Sequence, residues 1–217
     1  MSDIVIFGAG GRAGRAITAE ARTRGHRVTA AVRDPARHTG LATDGVHLVR
    51  GDVTDAQGVP ALVRGHAAAV HAVSPFSGPE QGLAGLDPDF FVKAADALLG
   101  SGVPRLLLIG LFANLRDARG GLVMDDPAAF PTELRPFATA HTAGLDRLRT
   151  RTTATDWLML TPPARLDPAG LRTGHYRIGG ETTPPEPAHL SYADLAVAVI
   201  DEIETPRHHH TRVSIFN

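Results

Sequence analysis

The chain has 217 residues, 43% of them hydrophobic, and a formal net charge of −1. That length supports the core of one α/β domain, and the near-neutral charge argues against a dedicated binder of nucleic acid or other polyanions. With no cysteine, thiol nucleophiles, disulfides and cysteine metal sites are all removed from consideration.

No apolar run approaches the ~18 residues of a membrane span. The chain enters a strand at once, without a basic leader, so a cytoplasmic protein with no signal peptide is expected. Lys93 is the only lysine, and Tyr176 and Tyr192 are the only tyrosines.

Ile4 to Phe7 is a short apolar run that ends at Gly8. The cluster Gly8, Ala9, Gly10, Gly11, Arg12, Ala13, Gly14 follows and opens a helical pattern. Strand, glycine turn and helix in this order form the opening of a dinucleotide-binding βαβ unit, with backbone N–H groups and the positive helix end facing an anion. The glycines fit two registers: Gly8-x-Gly10-x-x-Ala13, and Gly8-x-x-Gly11-x-x-Gly14.

The helix is expected over Arg12 to Arg24, stopped by Gly25, and the next strand over Arg27 to Val32. Asp34 and Pro35 suit the start of a short helix. An acidic residue at this strand end would bond a ribose 2′-hydroxyl; the chain has Arg33 there and Arg37 one turn on, which suits a 2′-phosphate. NADP(H) is therefore favoured over NAD(H).

Val46 to Val49 is a third strand. Asp52 and Val53 lie just past it, where they could meet adenine, and a helix follows over Ala56 to Arg64. Strand four, Ala67 to Val73, delivers Val73, Ser74 and Phe76 to the carboxyl edge of the sheet. The Gly- and Pro-rich loop Ser77–Asp87 precedes a helix over Pro88 to Gly100.

Arg105 to Ile109 is a continuous apolar run, as a central parallel strand requires. Gly110 to Phe130, which includes Phe112, has little periodicity and suits an active-site loop or lid. A helix within Pro131 to Arg151 carries His141. Trp157 to Leu160 is strand six, left through Pro162, Pro163 and Arg165.

Leu171 to Gly180, with His175, is an extended piece containing turn residues. Ser191 and Asp194 resemble a capping box opening a helix that begins near Tyr192, and Thr211 to Phe216 is a last strand. No linker divides the chain, so one domain over 1–217 is expected.

The segments Gly8-Ala-Gly-Gly-Arg-Ala-Gly14, Val32-Arg-Asp-Pro-Ala-Arg37, Gly51-Asp-Val53, Leu158-Met-Leu-Thr-Pro-Pro163, Arg172 to Gly180 and Ser191-Tyr-Ala-Asp-Leu-Ala196 together resemble the atypical short-chain dehydrogenase/reductases. The closer likeness is to the NmrA-like, NAD(P)H-binding group that includes assigned NADH-flavin reductases and biliverdin reductase B. The resemblance implies a Rossmann-like, doubly wound, mostly parallel sheet with a small C-terminal substrate-side extension. It places Gly8 to Gly14 on the pyrophosphate, Arg33 on the 2′-phosphate, Asp52 and Val53 at adenine and Val73 and Ser74 near the ribose. Gly110, Pro162 and Pro163 would border the nicotinamide side, and His141 falls where relatives carry a Lys or His near the nicotinamide ribose. The chain departs from flavin-reductase relatives in Gly110-Leu-Phe-Ala-Asn-Leu115, which lacks their hydroxyl.

The usual short-chain proton relay pairs a tyrosine with a lysine four residues later. Gly180 and Ala196 stand at that distance from Tyr176 and Tyr192, so the relay is absent. A proton would come from His141, another histidine, water or the substrate. Phe76, Phe112, Arg165, His175 and Tyr192 are candidates for the substrate side. His71 reads as a core residue. The adjacent His208, His209 and His210 cannot all point one way, so no metal is expected.

The leading expectation is an NADPH-dependent oxidoreductase passing hydride to a small conjugated acceptor, flavin- or quinone-like. A non-catalytic NADP(H)-sensing module and a biosynthetic isomerase or dehydratase remain as alternatives. A small-molecule substrate is the expected partner, neither nucleic acid nor membrane is, and a homodimer is left open.

Overall fold

The computed structural model describes residues 1–75, 82–185 and 187–217. Phe76 and residues 77–81 of the expected loop lie outside them.

The apolar alternation in β1 (Asp3–Phe7) sets the layering. Ile4 and Ile6 face one side, Val5 and Phe7 the other, and all four are buried. Strands buried on both faces belong to a parallel sheet covered by helices on each side. The strands β2 (Arg27–Val32), β3 (Val46–Arg50), β4 (Ala68–His71), β5 (Arg105–Ile109), β6 (Asp156–Thr161) and β10 (Thr211–Phe216) join β1 in that sheet. Their order is β3-β2-β1-β4-β5-β6-β10, closed by the short β8 (Arg177–Ile178). Every pairing is parallel except that of β8 with β10. This is the doubly wound Rossmann-like arrangement, and its direction of winding reverses between β1 and β4.

Helices α1 (Arg12–Thr23) and α5 (Tyr192–Glu204) cover the Ile4/Ile6 face. Helices α2 (Gly58–Val63), α3 (Phe90–Leu99) and α4 (Arg135–Thr150) cover the Val5/Phe7 face. α2 is shorter than expected because Asp52 and Asp55 spend their carboxylates on local turns, accepting from Thr54 and Gln57 N–H respectively. α4 begins later than Pro131 because a 3-10 turn, Thr132–Leu134, precedes it.

The C-terminal extension is a two-stranded parallel pair, β7 (Arg165–Asp167) with β9 (His189–Ser191), and the stretch between them. Ser191 caps α5 by accepting from Asp194 N–H, as the pattern predicts. The reciprocal half of a capping box does not form. The fully buried Asp194 carboxylate instead accepts from Thr173 N–H at 2.9 Å, Thr173 Oγ1–H at 2.8 Å and Gly174 N–H at 2.8 Å. Arg172 is bidentate to Glu20 of α1. The expected extended piece is thus fastened to both helices of one layer, and only Arg177–Ile178 joins the sheet.

The expected loop Gly110–Phe130 is anchored. Its two 3-10 turns, Phe112–Asn114 and Val123–Asp125, bury Ala113, Asn114, Leu115 and Val123. Asn114 Nδ2 donates to the Ala138 carbonyl and to Thr142 on α4.

On the α3/α4 face, packing demands one particular glycine. A Cβ on Gly144 would lie 2.5 Å from Phe91 Cβ and 3.1 Å from the Phe91 carbonyl carbon and oxygen. We expect Gly144→Ala to lose stability despite a helix-propensity gain of about 1 kcal/mol, because overpacking against backbone costs roughly 1–3 kcal/mol. A lower Tm in thermal unfolding checks this.

The same face buries His71 and His141. Burial pushes His71 down to about 3, with the nearby His141 adding to the shift. Burial likewise pushes His141 down to about 4, opposed by hydrogen bonding to the Ile109 carbonyl. Both are neutral when folded, whereas the unfolded chain takes up these protons near pH ~6.5. The unfolded state therefore binds more protons below that pH, and stability falls as pH drops. Each histidine contributes a slope of up to about 1.4 kcal/mol per pH unit between its two pKa values. Urea unfolding between pH 7 and 5 should show this decline, and His141→Leu should flatten it.

Candidate functional site

The ends of β1 to β6 lie along one edge because the strands are parallel, and the glycine turn crosses that edge at the β1/β4 reversal. Gly8 has φ +82°, a left-handed conformation that favours glycine. A Cβ there would also meet the Ala72 carbonyl oxygen at 2.6 Å. Gly11 N–H donates to the Gly8 carbonyl at 3.0 Å, closing the turn. Gly14 sits against Gly8 and Ala9 so closely that a Cβ would run into the Gly8 carbonyl oxygen. The structure thus selects the Gly8-x-x-Gly11-x-x-Gly14 register for the turn and its packing; Ala13 has no such role.

Gly11 is the N-cap of α1. It brings no side-chain cap, and the first turn of the helix holds no acidic residue. The first N–H groups of a helix have no intrahelical partners, and the helix dipole adds positive potential at that end. A bridging diphosphate fits these donors and the Cβ-free cradle around Gly8. Ala9 is buried beneath the turn, while Gly11 and Arg12 are exposed on it.

Arg33 follows β2 directly, and Arg37 lies in the 3-10 segment Pro35–Leu41, which Asp34 caps through the Ala36 N–H. Both guanidiniums are exposed, and neither has an ion-pair partner among the described residues. Asp52 is exposed past β3, its Oδ1 engaged by Thr54 N–H and Oγ1–H, and Val53 beside it is buried. Val73 and Ser74 leave β4 at the same edge, and Val73 N–H donates to His71 Nδ1 at 3.3 Å. That bond fixes the remaining proton of the neutral His71 on Nε2.

At the far side of the edge, Gly110 N–H donates to the Leu160 carbonyl at 2.8 Å. The Thr161 hydroxyl fills the place of a Gly110 side chain, so the ends of β5 and β6 come unusually close. Pro162 and Pro163 follow, both buried.

His141 does not stand in an open cleft. It is 6% exposed, with its ring 4.4 Å from that of Phe91. With His71, Ile109, Gly144 and Met159 it borders a cavity of about 10 Å³, which holds about one water-sized sphere. A neutral imidazole in that setting is no reservoir of protons at neutral pH.

Of the expected substrate-side residues, Arg165, His175 and Tyr192 belong to or adjoin the C-terminal extension, and Phe112 follows β5. Phe112 is half-buried in the first 3-10 turn after β5, close in sequence to Gly110. Arg165 is exposed on β7, and Tyr192 is half-buried at the start of α5, packed against the α1/α5 core. His175 is exposed on the turn fastened to Asp194. Phe76 lies outside the described residues.

Two of the absent-relay residues have structural partners. Lys93 Nζ pairs with Asp87 at 2.7 Å. Tyr176 Oη–H donates to Asp201 at 2.7 Å, and burial raises its pKa. His208 and His209 bond Glu202 and Asp156 separately.

Sequence reasoning missed a buried polar row on the α3/α4 face. Thr161 and Ser214 are register partners on β6 and β10, and Arg212 precedes Ser214 on the same face. Arg212 Nη1 donates to the Asn114 carbonyl at 2.7 Å. Thr161 Oγ1, Ser214 Oγ, Arg212 Nε and Asn114 Oδ1 have no hydrogen-bond partner among the described residues. Each residue looks unremarkable in sequence; only the β6/β10 register gathers them. His38, which leans on the glycine turn, was also missed, since nothing distinguishes it from a surface residue beside Arg37.

Comparison with known proteins agrees with this geometry. An uncharacterised protein of Bacillus subtilis strain 168, YwnB, is 33% identical over 98% of this chain and 97% of its own length. A solved structure from Bacteroides thetaiotaomicron, provisionally assigned as an epimerase, is 30% identical with a TM-score of 0.85, covering 99% of this chain and 96% of that one. Another, from Streptococcus pneumoniae TIGR4 and provisionally assigned as an NADH-flavin reductase, is 27% identical with a TM-score of 0.83 and covers 100% of both chains. The family model described as NAD(P)H-binding matches residues 8–206. With the glycine cradle at the sheet's reversal point, the chain belongs to the NAD(P)H-binding family.

Proposed function

We propose that the protein is an NADPH-dependent oxidoreductase that passes hydride to a small conjugated acceptor of the flavin or quinone class. One observation carries this reading: a Cβ-free glycine turn meets the uncapped first turn of α1 at the sheet edge, while among the described residues His71 and His141 are buried and Lys93 and Tyr176 are already paired. The cofactor, when bound, supplies the hydride. Gly8 to Gly14 hold its diphosphate, Arg33 and Arg37 its 2′-phosphate, and Asp52 and Val53 lie at its adenine side. Val73, Ser74, Gly110, Pro162 and Pro163 border its nicotinamide end.

The chain's other residues then set what the acceptor must be. His141 and His71 are neutral and buried, Lys93 is committed to Asp87, and Tyr176 is held as a neutral phenol by burial and Asp201. An acceptor that spreads incoming charge over a conjugated ring needs little proton assistance from the protein. The likeness to the Streptococcus pneumoniae protein supports the same class. His141 serves as a wall below the nicotinamide end rather than as an acid.

The missing tyrosine–lysine relay favours a second reading, a nucleotide-sensing module without turnover. Rapid mixing of NADPH with a panel of flavins and quinones separates the two. Loss of reduced-nicotinamide absorbance matched by acceptor reduction is expected. Tight NADPH binding with no oxidation across the panel would instead favour the sensor.

Cofactor choice has its own test. Arg33→Ala should weaken NADPH binding by about 1.5–3 kcal/mol, the worth of a hydrogen bond to a charged group, and leave NADH binding nearly unchanged. Equal affinities of the wild-type protein for both nucleotides, measured by calorimetry, would remove the 2′-phosphate assignment.

A further inference from the structure

Gly10 is a glycine without a backbone reason. It does not have the positive φ found at Gly8. What excludes a side chain there is the imidazole of His38. A Cβ on Gly10 would lie 2.6 Å from both Cε1 and Nε2 of that ring and 2.9 Å from Cδ2. His38 reaches this position from a break in the 3-10 segment, where its own backbone leaves helical geometry (φ −134°, ψ 26°). The missing side chain of the glycine turn has therefore been replaced, in space, by a histidine from the loop after β2.

The orientation of the ring follows from Arg15. Its Nε donates to the Gly10 carbonyl at 2.9 Å, and its Nη2 lies 3.4 Å from His38 Nδ1. A guanidinium can only donate, so Nδ1 accepts and the neutral ring carries its proton on Nε2. The donor edge of His38 is thus turned toward Gly10, on the turn that cradles phosphates, and the residue is the chain neighbour of Arg37.

We propose that His38 is a specificity-determining residue for the cofactor, donating its Nε2–H to the 2′-phosphate of the adenosine half, with Arg15 as the positioning residue that fixes ring and tautomer. This rests on the reading of the chain as an NADPH enzyme. It adds to Arg33 and Arg37 a third ligand, one that bridges the glycine turn and the β2 loop. It also accounts for Gly10, whose hydrogen makes room for the ring.

Calorimetric titration with NADPH, NADH and 2′,5′-ADP tests this on the wild-type protein, His38→Ala, His38→Gln, Gly10→Ala and the Gly10→Ala/His38→Ala double variant. His38→Ala should weaken NADPH and 2′,5′-ADP roughly tenfold or more, as expected for a bond to a charged group, and leave NADH unchanged. His38→Gln, which keeps an N–H donor, should restore part of the loss. Gly10→Ala displaces the ring, so it should weaken NADPH more than NADH, any loss common to both nucleotides reporting on the diphosphate turn, and the double variant should bind NADPH no more weakly than Gly10→Ala alone. Gly10 and His38 are half-buried and outside the apolar core clusters, so Tm values close to that of the wild type are expected.

Wild-type affinity in His38→Ala, an equal loss for NADH, or additive losses in the double variant would overturn the proposal while leaving the cofactor reading intact. A wild-type protein that binds none of the three nucleotides would remove both.

Discussion

The contact on which the rest of the structure depends is backbone on backbone: Gly14 of α1 lying on Gly8 and Ala9 of the turn. No residue with a Cβ fits at position 14, so the helix can meet the strand end only because glycine stands there. That closeness places the uncapped first turn of α1 over the reversal point between β1 and β4. The helix axis and the sheet edge are set by the same van der Waals contact, so the anion site is a by-product of how the two elements pack. A weaker packing residue would tilt the helix and carry its N–H groups away from the crevice.

Holding α1 in that place falls to charge as well as to apolar packing. Glu20 on α1 receives Arg24 and Arg172, and Arg24 also reaches Asp201 and Glu204 on α5. Arg172 and Arg24 keep the Glu20 carboxyl below the usual range, so it stays charged in a largely buried position. A second buried pair, Arg105 with Glu202, ties the start of β5 to the end of α5 at 3.0 Å. Such pairs do not add much net stability over well-packed apolar residues, but removing one partner strands the other. Their effect is to fix which helix lies beside which. Arg172 and Asp194 extend that fixing to the 172–178 stretch, so the C-terminal extension is located by polar bonds where the sheet ladder reaches only two of its residues.

How much of this could be read in advance depended on whether the signal was local. The parallel strands were legible because burial on both faces writes a continuous apolar run, as in Arg105–Ile109. The glycine turn was legible because its conformation leaves a residue-type signature. His141 was not, because a histidine on an amphipathic helix looks the same whether its face meets solvent or Phe91. Asp194 was half legible: its place at the helix start signalled the cap, but its carboxylate went to Thr173 and Gly174, a contact 20 and 21 residues away. The row Thr161, Ser214, Arg212 depends on strand pairing between segments far apart in the chain. His38 depends on the empty space at Gly10.

The two ends of the sheet edge differ in physical character, and that difference shapes the proposed chemistry. The end at the glycine turn is open and basic, with Arg12, Arg33 and Arg37 exposed. Charge there attracts an anionic nucleotide and costs little, because water still solvates the guanidiniums. At the opposite end, among the described residues, Pro162, Pro163 and Phe91 are buried together with the neutral His71 and His141. Behind them, Thr161 Oγ1 and Ser214 Oγ have no hydrogen-bond partner among the described residues. That row is sealed beneath the edge, with Thr161 and Ser214 almost fully buried, and it includes the Arg212 guanidinium. The proposed preference for a conjugated acceptor therefore rests on the burial that keeps His71 and His141 neutral, and not on this polar row.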